Sequence, residues 1–216
     1  MAKVICELSG GADSVLATIL AQERWKNNEI IGVFVNYSQV CFSSELQCAT
    51  KIANKLGIKL KIIDLLNIWK GGMINGETKG DKNVYTPLRN VAILGAVMSY
   101  TESIGGSIIV TGSKGLCKLP EDEYSYYDSS LPFYKLMESV WYYTTENKRV
   151  VRICPILAEG RKDKMTKKEV YSKLLEYGIG FKDTWSCFKG EVSECGECHN
   201  CRNKIRIFKE LKCDYI

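Results

Sequence analysis

The chain has a single histidine, His199, among 216 residues. Ser-His and Cys-His catalysis needs an imidazole beside its nucleophile, and no convincing pair of that kind can be drawn here. No apolar run approaches the roughly 20 residues that cross a bilayer, so no membrane span is expected. The first apolar run, Val4–Leu8, is short and leads into a glycine turn. Nothing there resembles a signal peptide, and a cytoplasmic location is expected. Strong charge of one sign is also missing. A net charge of +5 suits an anionic small molecule and does not by itself argue for nucleic acid. Internal repeats and low-complexity tracts are absent too. What remains is an ordinary composition, 45% hydrophobic and 25% charged, long enough for one core with a small appendage.

The most informative stretch is Ser9-Gly10-Gly11-Ala12-Asp13-Ser14, set between an apolar strand and an apolar helix. Adjacent glycines allow positive φ and close approach of backbone to a ligand. The turn's N–H groups then face the space above a helix N-terminus, where the dipole favours an anion. Residues Leu8 to Val15 (Leu8, Ser9, Gly10, Gly11, Ala12, Asp13, Ser14, Val15) are therefore the candidate nucleotide cradle. No lysine lies in the loop, which separates it from the Walker type. The plainer alternative is a tight turn in which Ser9 or Asp13 only caps the helix.

Along the chain, strands are expected at Val4–Leu8, Ile30–Asn36, Lys59–Leu65, Ser107–Ser113 and Val150–Ile153. Helices are expected at about Asp13–Lys26, from Ser43 or Ser44 to Gly57, after Thr86, over Phe133–Trp141, and from a capping box at Thr166 to Tyr177. Strands alternating with helices imply right-handed crossovers and a doubly wound, mostly parallel five-stranded α/β sheet. Ligands bind such sheets at the strands' carboxyl ends, which brings Asn36-Tyr37-Ser38-Gln39 toward the same crevice. Those side chains are either adenosine and substrate contacts or ordinary loop polarity. Lys70–Asn83 reads as a surface loop that folds over the site, and Pro120–Ser130 as an irregular aromatic and acidic segment. Thr86 is placed to cap the helix with Pro87 at its first position, and Val91, Leu94, Val97 and Met98 form its buried stripe. Arg89 in that first turn opposes the dipole preference. It either grips a carboxylate or phosphate by two prongs or pairs with an acidic neighbour.

Six of the ten cysteines are scattered (Cys6, Cys41, Cys48, Cys117, Cys154, Cys213) and read as small buried hydrophobes or inert thiols. Cys187, Cys195, Cys198 and Cys201 instead have metal-ligand spacing. Four thiolates leave no open position, so the metal is structural, with zinc the first choice and an iron–sulfur cluster the rival. His199 is more naturally a surface residue of the knuckle than a ligand. Arg202, Lys204, Arg206, Lys209 and Lys212 read as a solvated basic face, with a tRNA-binding patch as the alternative. Residues 1–180 are expected to form the α/β domain, and 181–216 the knuckle and terminal helix packed on it.

The Ser-Gly-Gly-x-Asp-Ser loop resembles the signature of the PP-loop ATP pyrophosphatases. Together with Pro87-x-Arg89-Asn90, and Thr184-Trp185-Ser186-Cys187 leading to Cys-x2-Cys-x2-Cys, it resembles the QueC family of 7-cyano-7-deazaguanine synthases over nearly the whole chain. Tyr126-Tyr127-Asp128-Ser129-Ser130 is similar to a family segment, with Tyr127 in place of a proline. The resemblance implies an ATP-dependent carbon–nitrogen ligase acting on 7-carboxy-7-deazaguanine and free ammonia. It implies ATP, Mg²⁺ and Zn²⁺, catalytic roles for Asp13, Ser14 and Arg89, and substrate contacts from Arg89, Asn90 and Asp128. A homodimer is also implied. Alternatives are a related ligase joining the activated carboxylate to a protein or nucleic-acid amine, a PP-loop tRNA-thiolation enzyme, and a non-catalytic nucleotide- or RNA-binding module.

Overall fold

The computed structural model describes residues 2–69, 86–114, 127–145, 151–161, 165–189 and 192–213. Expectations for Lys70–Asn83, for Pro120–Tyr126 and for Cys117 lie outside them. Five strands, β1 (Lys3–Glu7), β2 (Glu29–Asn36), β3 (Lys59–Asp64), β4 (Ile108–Thr111) and β5 (Arg152–Pro155), form one sheet in the order β3-β2-β1-β4-β5. Every pairing is parallel, with Ile5 opposite Ile31 on one side and Ile109 on the other. This is the expected doubly wound architecture.

Alternation along β1 decides what each face buries. Val4, Cys6 and Leu8 enter one core with α1 (Ala12–Arg24), α2 (Phe42–Leu56), α5 (Lys167–Glu176) and α6 (His199–Glu210). Ile5 enters the other with α3 (Arg89–Ser103) and α4 (Leu131–Thr144). Strands β1 and β2 are covered on both faces and so read as near-continuous apolar runs. Edge strand β3 is half exposed. Ile207 and Phe208 of α6 lie in the first core itself.

Local signals hold where they are self-contained. Gly57 ends α2 in the left-handed region, and Thr166 and Glu169 close a reciprocal capping box at α5. The start of α3 differs. Thr86 is not its cap: the Thr86 carbonyl accepts the Arg89 N–H at 3.2 Å, and Leu88 takes the cap position at φ 51°. That turn delays the helix and rotates its stripe. Val91 is exposed, and Thr101 joins Leu94, Val97 and Met98 inside.

Candidate active site

The glycine loop is shaped by contacts that tolerate no side chain. Gly10 has φ +80°, and a Cβ there would stand 2.4 Å from the Glu45 carbonyl oxygen. At Gly112, where β4 exits, a Cβ would meet the Ser14 nitrogen at 2.6 Å. The loop is thus wedged between the α2 backbone and the β4 turn. Neither Ser9 nor Asp13 caps α1; Gly11 holds that position without a side-chain bond. Ser14 Oγ instead donates to the Gly11 carbonyl at 2.9 Å, accepts the Ser9 N–H at 3.2 Å, and lies 3.0 Å from Ser9 Oγ. The helix's first N–H groups therefore face the cleft without a side-chain cap, as anion binding at a helix start requires. Asp13 meets Lys167 of α5 at 2.6 Å.

A cavity of about 520 Å³ opens at the carboxyl edge of the sheet beside this loop, within the range of small-molecule sites. Ser9, Asp13, Ser14, Arg89, Asn90 and Asp128 all line it, so residues spread over 120 positions of chain converge. Arg89 opens α3 directly after the left-handed Leu88, its Nε donates to Asn90 Oδ1 at 3.2 Å, and its guanidinium lies 5.7 Å from the Tyr37 ring centre. Asn90 Nδ2 reaches the Asp128 carbonyl at 3.5 Å. Asp128 sits in a 3₁₀ turn, Tyr127–Ser129, whose successor Ser130 caps α4. Of the β2 turn, Tyr37 and Gln39 face the cavity, whereas Asn36 turns to Asp64 at 2.8 Å. Leu8 and Val15 are fully buried in the core, leaving only their main chain to a nucleotide.

Two carboxylates on the cavity wall escape the sequence reading. Burial pushes Glu7, at the end of β1, up to about 7. It does the same to Glu45 of α2, against the opposing pull of a Gln39 hydrogen bond and the Arg89 charge. Tyr134 is raised to about 12, mainly by burial and then by the Glu7 charge. A charged residue closing an apolar central strand is the signal that marks Glu7 in the sequence. Glu45 has no such signal, since it sits at an unremarkable helical position. On the loop's other side lies a smaller cavity of about 200 Å³, lined by Gly11, Ala12, Lys167, Trp185, Ser186 and Lys204.

Arg202, Arg206, Lys209 and Lys212 are exposed, as a solvated basic face requires, and Lys204 alone departs from that reading. It is 1% exposed, donates to the Thr184 carbonyl at 2.7 Å and pairs with Glu194 at 2.9 Å. Glu194 also accepts the Ser186 N–H at 2.6 Å and its hydroxyl at 2.8 Å. The pair pins residues 184–187 into a strap. At one end the Trp185 N–H donates to the Gly10 carbonyl at 2.9 Å; at the other stands Cys187.

Cys187, Cys195, Cys198 and Cys201 bring their four sulfurs within 4.8 Å of one another. Main-chain N–H groups of Lys189, Cys195, Glu197, Cys198 and Cys201 point at these sulfurs at 3.3–3.5 Å. Such donors stabilise thiolates, and the set fits a soft or borderline metal ion. His199 is exposed at the first turn of α6, outside the cluster. Of the scattered cysteines, Cys6, Cys41, Cys48 and Cys154 are buried.

A family model described as queuosine biosynthesis protein QueC matches residues 3–212. A 7-cyano-7-deazaguanine synthase from Campylobacter hominis is 30% identical over 224 residues, covering 96% of this chain and 94% of its own. One from Chlorobaculum parvum is 29% identical over 226 residues, covering 97% and 92%. Among solved structures, the U34-tRNA thiolase NcsA from Methanococcus maripaludis, with its 4Fe-4S cluster, is similar at TM-score 0.51 and 18% identity, over 98% of this chain and 71% of that one. That likeness is one of fold. The family match takes in the sheet, the glycine loop and the cysteine run alike, and the chain belongs to the QueC family.

Proposed function

We propose that the chain converts 7-carboxy-7-deazaguanine and ammonia to 7-cyano-7-deazaguanine at the expense of ATP. The observation that carries this reading is the meeting of the phosphate-type loop with Arg89, Asn90 and Asp128 in one cavity. A carboxylate is a poor electrophile, because its leaving group would be oxide. Attack of its oxygen on the α-phosphorus expels pyrophosphate and leaves an acyl adenylate. Ammonia then displaces AMP to give the amide. Attack of the amide oxygen on the α-phosphorus of a second ATP expels a second pyrophosphate and, with loss of a proton from nitrogen, gives an adenylated imidate, which loses AMP and a further proton to leave the nitrile.

The loop's task is positioning and charge neutralisation. Ser9, Ser14 and the N–H groups of Gly10, Gly11 and Ala12 hold the leaving pyrophosphate. Asp13 would offer a hard oxygen ligand to Mg²⁺, an ion that would neutralise charge on the phosphates. Lys167, which pairs with Asp13 and lines the cavity beside the loop, would add positive charge next to the phosphates. Arg89 holds the substrate carboxylate, with Asn90 and Asp128 completing the contact. Zinc is the ion proposed for the four cysteines. The separation of 3.9 Å between the Cys195 and Cys201 sulfurs is close to the edge of a tetrahedron with ~2.3 Å Zn–S bonds. An iron–sulfur cube would hold its cysteine sulfurs further apart, which counts against the thiolation alternative. A cytoplasmic homodimer, an α/β domain over residues 1–180 and a knuckle over 181–216 complete the proposal.

The test supplies ATP, the deazaguanine carboxylate and ammonium, and follows nitrile by mass spectrometry and pyrophosphate by coupled assay. About two pyrophosphates per nitrile are expected. Asp13→Ala is expected to cut turnover at least about 100-fold with its melting temperature retained. An unchanged rate in that variant would contradict the role of the loop. Amide formed with another amine in place of ammonia would point to the alternative ligase.

A further inference from the structure

The floor of the larger cavity holds a carboxylate that the scheme above leaves unused. Glu7 ends β1, whose inner residues Val4, Ile5 and Cys6 are apolar and fully buried. Ile5 faces the core under α3 and α4, so Glu7, two residues on, points to the same side and opens into the cavity. Val33 is its register partner on β2, and Val33, Val35, Ile93, Leu94 and Phe133 make up the apolar part of the cavity lining. Tyr134 lies near enough to feel its charge. Among the described residues no hydrogen bond or ion pair reaches the Glu7 carboxylate, and burial alone raises its proton affinity. A β-branched apolar residue would serve a central strand better at this place. A carboxylate without a protein partner in an apolar wall costs stability, and local rules are broken where a ligand repays the breach.

We propose that Glu7 reads the donor edge of the deazaguanine, its two oxygens accepting from the ring N–H and the exocyclic 2-amino group. The proposal rests on the substrate reading above. Two acceptors in one plane match two donors in one plane, the arrangement that makes bidentate pairs strong and directional. Adenine offers one donor beside a ring-nitrogen acceptor, which would set a lone pair against the carboxylate. Ammonium, a compact charge, gains nothing from apolar walls that suit a flat base. Like charge keeps the substrate's own carboxylate away from Glu7, orienting it toward Arg89 and the loop.

The test compares wild type with Glu7→Gln at pH 8, using 7-carboxy-7-deazaguanine and its analogue lacking the 2-amino group. Wild type is expected to favour the parent at least about tenfold. The glutamine turns one acceptor into a donor facing an N–H. That preference should vanish and KM for the parent should rise about 10- to 100-fold, with KM for ATP and ammonium within about twofold. Glu7→Asp, which keeps the charge, should bind more weakly and retain the preference. Persistence of the full preference in Glu7→Gln would overturn the proposal. So would a raised KM that falls on ATP or on ammonium. Failure of wild type to consume the parent at all would instead remove the substrate reading, and the proposal with it.

Discussion

At the scale of single residues, the loop depends on positions where a methyl group is already too much. Gly10→Ala would need both a left-handed backbone and the retreat of the Glu45 carbonyl, which is main chain in the first turns of α2. The left-handed region alone costs about 1–2 kcal/mol for a residue with a Cβ. The variant is expected to lose at least about 2 kcal/mol of stability and to weaken ATP binding more than tenfold. Chemical denaturation and calorimetric titration with nucleotide measure the two effects. Glu7 and Glu45 act through pH. Each has its carboxyl raised from 4.5 in the unfolded chain to about 7 by burial, so the folded chain holds these protons more tightly. Stability is therefore expected to fall as pH rises from about 4.5 to about 7 and to level off above, by up to about 3 kcal/mol for each group. Denaturation midpoints across that range report the slope, and Glu7→Gln should flatten about half of it.

At the scale of elements, the strap from Thr184 to Cys187 joins two sites that the sequence presents as unrelated. Trp185 fastens it to Gly10, and the Lys204–Glu194 pair holds its middle against α6. Removing one member of a buried pair leaves the other uncompensated, commonly at 3–5 kcal/mol. Lys204→Met is expected to destabilise by about that amount and, through the strap, to weaken ATP binding. Lys204→Met combined with Glu194→Gln should recover part of the loss, which a double-mutant cycle measures. The pair was invisible in the sequence because Lys204 stands among Arg202, Arg206 and Lys209. Those neighbours have the same charge class and only burial tells Lys204 from them. Element boundaries show the same division. The capping box at Thr166 and the left-handed Gly57 are decided within four residues of chain. The start of α3 waits on a turn at Thr86–Leu88 that no local propensity dictates.

At the scale of the whole molecule, the cysteine cluster closes the end of the chain onto the sheet. Binding free energy of a four-thiolate ion becomes folding free energy when the site does not exist in the unfolded chain. Removing the ion with a mercurial and a chelator is expected to release about one equivalent of zinc per chain. The melting temperature should fall and, through the strap, nucleotide affinity should fall with it. Metal analysis, thermal melts and nucleotide titration follow the three together. A brown preparation with visible absorbance would speak for an iron–sulfur cluster instead.

Much of this was legible from the residues themselves, because the determining interactions are local or periodic. Paired glycines need a turn, buried parallel strands need apolar runs, and two-residue spacings bring thiolates together. Residue pattern alone was enough for the sheet class, the glycine loop and the grouping of Cys187, Cys195, Cys198 and Cys201. Long-range packing had to decide that Arg89, Asn90 and Asp128 share a cavity with that loop, that Glu7 lines it too, and that a buried lysine holds the strap joining the four-cysteine cluster to Gly10. Those are long-range meetings. They follow from strand order and from which face of each element is covered, and neither is written in any short stretch of chain.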